Sequence, residues 1–137
     1  MSADFVDSNV VLYLASQDER RAVIVERLLE GGPMISAQVL SEVTNVLRRK
    51  RRLGWALVNG FVEDLLPITM VLPLTQATNS TARGLAERYG FAWYDAVIVA
   101  SALEGGCSRL FSEDMQHGQK IGALTIVNPF VSGDAPP

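Results

Sequence analysis

The sequence predicts an α/β domain with a mainly parallel sheet and helices on both of its faces. Two observations carry the prediction. Short apolar or β-branched stretches alternate along the chain with segments of helical periodicity, the pattern of strands joined by helical crossovers. The breaks between them fall at residues that stop helices or make turns, namely Gly31-Gly32-Pro33, Gly54, Pro67, Gly90 and Gly105-Gly106. A length of 137 residues suits one domain with a single buried core, and a hydrophobic content of 48% belongs to a folded chain rather than a disordered one.

The elements follow in order. Asp4 to Val6 reads as a strand running into Asp-Ser-Asn, a helix-start cluster. Val10 to Ser16 and Arg21 to Leu29 read as helical, with Ala22, Val25, Leu28 and Leu29 at helical spacing. Met34 to Ser36 is a brief second strand. Ala37 to Arg52 reads as one long helix, because Val39, Leu40, Val43, Val46, Leu47 and Leu53 form an apolar stripe. Another helix covers Ala56 to Leu66 and is expected to stop before Pro67. Thr69 to Leu72 is a β-branched strand, Thr75 to Tyr89 a helix, and Trp93 to Glu104 a helix ended by the paired glycines. Ser108 to Ser112 is a strand, Asp114 to Ile121 a loop with a possible helical turn, and Leu124 to Val127 the last strand. Residues 1–130 are expected to form the domain and 131–137 a flexible tail.

Composition excludes several chemistries. The one cysteine, Cys107, forms no intramolecular disulfide and has no zinc-type Cys/His spacing around it. It reads as a small buried residue entering a strand, which suits a reducing cytoplasm. The one histidine, His117, rules out catalysis by a pair of imidazoles and reads as a structural hydrogen-bonding residue. The start, MSADFVD, lacks the basic region of a signal peptide, and apolar runs such as Val10 to Ala15 fall short of a membrane span.

The acids say more. In an open parallel sheet, residues just past the C-terminal strand ends converge on the ligand crevice. Asp7 follows the first strand, Asp114 follows the strand ending at Ser112, Glu42 lies a turn into the helix after the second strand, and Asp95 lies in the first turn of the Trp93 helix. Taken singly, each has a structural explanation: a helix cap for Asp7, a dipole partner for Asp95, a solvated face for Glu42, a turn for Asp114. Asp7 and Asp95, however, sit inside apolar runs, and buried acids are paired or metal-bound. Crowded carboxylates raise one another's pKa, and a hard divalent cation with oxygen ligands removes the conflict.

Four stretches then resemble one family. FVDSNVVLYLA (Phe5 to Ala15), LSEVTNVL (Leu40 to Leu47), YDAVIVASALEGGC (Tyr94 to Cys107) and LFSEDMQHGQKI (Leu110 to Ile121) resemble, in order and spacing, the four acidic motifs of the PIN-domain ribonucleases, in particular the VapC-like toxins. The resemblance runs from Phe5 to about Pro129. It implies a three-layer α/β/α domain and Mg²⁺- or Mn²⁺-dependent hydrolysis of RNA phosphodiesters. It also implies that Asp7, Glu42, Asp95 and Asp114 hold the metal, with Ser8, Asn9 and Ser112 as supporting polar residues. Glu113 reads as exposed rather than as a ligand. As partners it implies an RNA substrate, a small antitoxin and a second copy of the chain.

The formal charge of −3 hides a cationic run, Arg48-Arg49-Lys50-Arg51-Arg52, five of the twelve basic residues. One or two cations would satisfy a helix C-terminus, so the run is also a candidate for collecting RNA phosphates. Trp55, Trp93 and Tyr94 are candidates for stacking on bases, with core packing expected for at least one tryptophan. Against the toxin stand a housekeeping RNA-processing PIN nuclease and a non-enzymatic module that binds a metal or a partner. An aspartyl phosphatase is disfavoured because Asn9 stands where a second acid is expected. A phospho-receiver is disfavoured because no acid pair closes the first strand.

Overall fold

The computed structural model describes residues 3–131. Among them one six-stranded sheet has the order β3-β2-β1-β4-β6-β5. The strands are β1 (Ala3–Val6), β2 (Met34–Ser36), β3 (Met70–Leu72), β4 (Cys107–Phe111), β5 (Lys120–Ile121) and β6 (Leu124–Val127). The helices are α1 (Ser8–Val11), α2 (Glu19–Glu30), α3 (Ala37–Asn45), α4 (Trp55–Leu65), α5 (Gln76–Tyr89) and α6 (Trp93–Glu104). All pairings are parallel except that of β5 with β6. From β1 the chain steps outward through β2 to β3, then returns to β4 on the other side of β1. With right-handed crossovers, α1 to α4 cover one face and α5 and α6 the other. This is the three-layer α/β/α arrangement.

The core explains these choices. Phe5, Val6, Ile35, Leu110, Phe111 and Ile126 are fully buried along the central strands. α6 is buried nearly all round from Ala96 to Ala102, which is why its sequence is apolar without a polar face. α5 is started by a reciprocal capping box between Thr75 and Thr78 and stopped by Gly90 in the left-handed region (φ 74°). Cys107 is buried at the start of β4, as expected.

Several boundaries differ from expectation, each for a local reason. The helix after β1 begins earlier, at Ser8, capped by Asp7, and tightens into a 3₁₀ turn over Leu12–Ala15. The long helix is α-helical only to Asn45, then widens into a π turn over Val46–Lys50. Pro67 does not end its helical segment, because a 3₁₀ turn over Leu66–Ile68 carries the chain through it. The loop after β4 contains a strand, β5, which forms a short antiparallel hairpin with β6. Neither tryptophan is in the core: both Trp55 and Trp93 are exposed. The expected tail lies, from residue 132 on, outside the described residues. No helix among those described is long and apolar enough to cross a membrane.

Candidate active site

The strand order reverses between β1 and β4, so a crevice opens there beyond the C-terminal ends of the strands. Asp7 stands at that point. Its backbone extends the β1–β4 ladder, the Asp7 N–H donating to the Phe111 carbonyl (2.9 Å). Its side chain caps α1, accepting from the Ser8 N–H at 2.7 Å. Ser112, the first residue after β4, donates from Oγ to the other carboxylate oxygen of Asp7 at 2.9 Å. The carboxyl is 4% exposed. Burial pushes its pKa up from 3.8 to about 7; the bonds from Ser112 and Ser8 work against that rise, and the charges of Glu42 and Asp95 add to it.

The other acids arrive from three further elements. α3 is capped by Ser36, whose Oγ accepts from the Val39 N–H, and so starts directly at the end of β2. Glu42 on α3 is thereby brought to Ser8, whose Oγ donates to Glu42 Oε1 at 3.0 Å. Asp95 occupies the first turn of α6, half-buried, and its pKa is raised first by burial and then by the charge of Asp114. Asp114 is exposed and lines, with Ser8, Asn9, Glu42, Lys50 and Arg51, a cleft of ≈ 560 Å³. The four acids are thus linked in sequence by charge, Glu42 and Asp95 to Asp7, and Asp114 to Asp95.

Asn9 ties the two halves together. Its Nδ2 donates to Ser112 Oγ (3.3 Å), and its Oδ1 accepts from the Glu113 N–H (3.2 Å). Glu113, which the sequence reading leaves exposed, is instead partly buried and clamped. The Tyr13 hydroxyl donates to Glu113 Oε1 at 2.6 Å, and Arg21 Nε lies 3.5 Å from its other oxygen. Arg21 also stands over the Tyr13 and Phe130 rings, at 5.5 and 5.3 Å. The clamp fixes the residue beside Asp114. No local pattern in the sequence marks it, because its members come from elements about a hundred residues apart.

The donor set suits a hard cation: carboxylates with serine and amide oxygens, and no thiolate or imidazole among them. No three Asp, Glu, His or Cys side chains among the described residues stand together as a ready-made metal cage. Mg²⁺ fits such a site nonetheless, since it is commonly held by one or two carboxylates with water completing its shell. His117 is not part of the cleft; its Nδ1 accepts from the Asn128 N–H at 2.9 Å.

The basic run does not act as a unit. Arg51 lines the cleft, yet its Nη1 donates to the Ala15 carbonyl at 2.6 Å and closes the 3₁₀ turn after α1. Arg48 donates to the Leu53 carbonyl (2.9 Å) and lies over the Trp55 ring at 4.4 Å. Arg52 takes a left-handed backbone (φ 54°) that ends the turn. Arg49 and Lys50 are exposed.

A family model for the PIN domain matches residues 5–120. Among solved structures, the chain is similar to VapC20 of Mycobacterium tuberculosis, a sarcin-ricin loop cleaving toxin, at 23% identity and a TM-score of 0.66, over 82% of this chain and 90% of that one. It is also similar to a toxin–antitoxin complex from Klebsiella pneumoniae (20%, TM-score 0.70, 94% and 98% covered). DNA-bound VapBC of Salmonella typhimurium gives 22% identity and a TM-score of 0.66, with 92% and 97% covered. At these identities the likeness speaks for the fold. No curated protein matches the chain.

Proposed function

The chain belongs to the PIN-domain family, and on that premise we propose that it is a metal-dependent endoribonuclease hydrolysing RNA phosphodiester bonds, and the toxin of a toxin–antitoxin pair. One observation carries the nuclease reading. Asp7, buried at the switch point of the sheet with a pKa of about 7, faces the charge of two further acids. A carboxyl kept there must hold either a proton or a cation, and a cation is the catalytically useful choice.

Asp7 and Asp95 would be the principal holders of Mg²⁺ or Mn²⁺, with Glu42 and Asp114 completing the site. When bound, such a cation makes water more acidic and offsets charge on a phosphoryl oxygen. The chain's own residues do the rest. Ser8 and Ser112 hold the two Asp7 oxygens, Ser8 also holds Glu42, and Asn9 locks the β4 turn against α1. Exposed Arg49 and Lys50 would meet phosphates entering beside the cleft.

The toxin reading is supported by likeness to a toxin that cleaves the sarcin-ricin loop and to a toxin–antitoxin complex. A small antitoxin and a second copy of the chain would be its protein partners, in the cytoplasm. The direct test is cleavage of RNA with Mg²⁺ or Mn²⁺ by the wild type and by Asp7→Asn, Asp95→Asn and Asp114→Asn. Each variant should remain folded and lose cleavage, and Glu42→Gln should be severely impaired. Full cleavage by a well-folded Asp95→Asn protein would end the assignment.

A further inference from the structure

A cavity of ≈ 350 Å³ opens between the starts of α3, α5 and α6, lined by Gln38, Ser41, Leu74, Asn79, Trp93 and Tyr94 among others. None of the four acids lines it, but two of its residues neighbour acids in sequence: Tyr94 precedes Asp95, and Ser41 precedes Glu42. Trp93 is 38% and Tyr94 66% exposed. Among the described residues neither side chain has a ring, cation or hydrogen-bond partner. Trp55 differs, because it is already covered by Arg48. Gln38 is buried, and its Nε2 donates to the Tyr94 carbonyl at 3.2 Å. That bond joins α3 to the first turn of α6, so the backbone carrying the two aromatic rings is held.

The cavity continues into others. Ser41 also lines a cleft of ≈ 510 Å³ with Asn45, Arg48, Arg49 and Trp55, and Asn45 also lines the acidic cleft with Glu42 and Lys50. One furrow therefore follows α3 from the aromatic pair, past Arg48 and Arg49, to the acidic cleft that Lys50 borders. Stacking faces in line with a cationic groove are what a single strand of nucleic acid requires.

We propose that the cavity at Trp93 and Tyr94 is a base-binding subsite for single-stranded RNA. One unpaired base stacks there while the sugar–phosphate backbone follows α3 toward Arg49 and Lys50. The subsite rests on the nuclease reading and adds to it a place where the strand is gripped by a base as well as by its phosphates. Charge favours RNA over a protein segment: the two rings lie with Leu74 and Val97 inside a polar rim of Gln38, Ser41 and Asn79, and the adjoining stretch of the furrow carries Arg48 and Arg49.

The test measures fluorescence anisotropy of a labelled single-stranded RNA of about a dozen nucleotides, with chelator and without divalent metal. Tyr94→Ala and Trp93→Ala should each weaken binding about 5- to 100-fold, and Tyr94→Phe should restore it. An abasic position scanned along the strand should reduce affinity at one place in the wild type and at none in Tyr94→Ala, which a merely structural role would not produce. If the wild type cleaves RNA but Tyr94→Ala binds it unchanged, the subsite is wrong and the nuclease reading stands. If Tyr94→Ala keeps RNA affinity and instead loses a coexpressed protein partner, the face belongs to that partner and the proposal falls. If the wild type neither binds nor cleaves RNA, the nuclease reading fails and takes the subsite with it.

Discussion

Between pH 3.8 and about 7, Asp7 in the native protein keeps a proton that the unfolded chain has released. Native protein binding the extra proton means that stability falls as pH rises. The metal-free protein should therefore lose a few kcal/mol from about pH 4 to about pH 7, at about 1.4 kcal/mol per pH unit, and change little above that through this group. Asp7→Asn should remove that slope. Denaturant midpoints at about pH 5 and about pH 8 for both proteins decide it; equal slopes would clear Asp7 as the cause. At this scale the sequence was informative where an acid interrupts an apolar run, as Asp7 and Asp95 do. It was silent where polar residues meet across the fold. Nothing in the types of Tyr13, Arg21 and Glu113 marks them as a clamp, and at least one tryptophan was expected in the core, whereas both are exposed, because size and apolarity are all that composition reports.

The π turn after α3 separates residues that the sequence presents as one cationic block. Arg51 is directed to the carbonyls of Leu12 and Ala15, whereas Arg49 is exposed beside the furrow. Arg51→Gln should destabilise the protein by about 1.5–3 kcal/mol, since a charged donor to backbone is lost. Arg49→Gln should leave stability unchanged and lower the slope of log affinity for single-stranded RNA against log salt by about 0.7. Thermal melts and salt titrations separate the two; equal behaviour would restore the block. The α-helices were legible because their stripes and stops are local. The π turn was not, because its apolar residues continue the α3 stripe without a break. β5 was missed because two residues, Lys120 and Ile121, are too short to show alternation, and their pairing with β6 depends on the turn at Gly122.

The whole molecule brings the acids together only in the native state, so the proposed metal would bind the folded protein and stabilise it. Mg²⁺ or Mn²⁺ should raise the melting temperature of the wild type and not that of Asp7→Asn; calorimetry showing equal shifts would count against the site. Expressed alone in a bacterium, the wild-type chain should arrest growth and Asp95→Asn should not. Coexpression with a cognate antitoxin should restore growth and yield a stable complex. Folded, soluble wild type that leaves growth untouched would favour a housekeeping nuclease. The parallel sheet was legible from the alternation of strands and helices, and the convergence of acids followed from it. Sheet order was not, since the placement of β4 beside β1 is set by packing rather than by any local pattern. That placement has a consequence for biosynthesis. Asp7 and Ser112 are bonded across 105 residues, so a ribosome makes Asp7 long before the strand that completes its surroundings. A chain interrupted before β4 still lacks Ser112 and Asp114. The acidic site is therefore completed only once translation of the domain is nearly done.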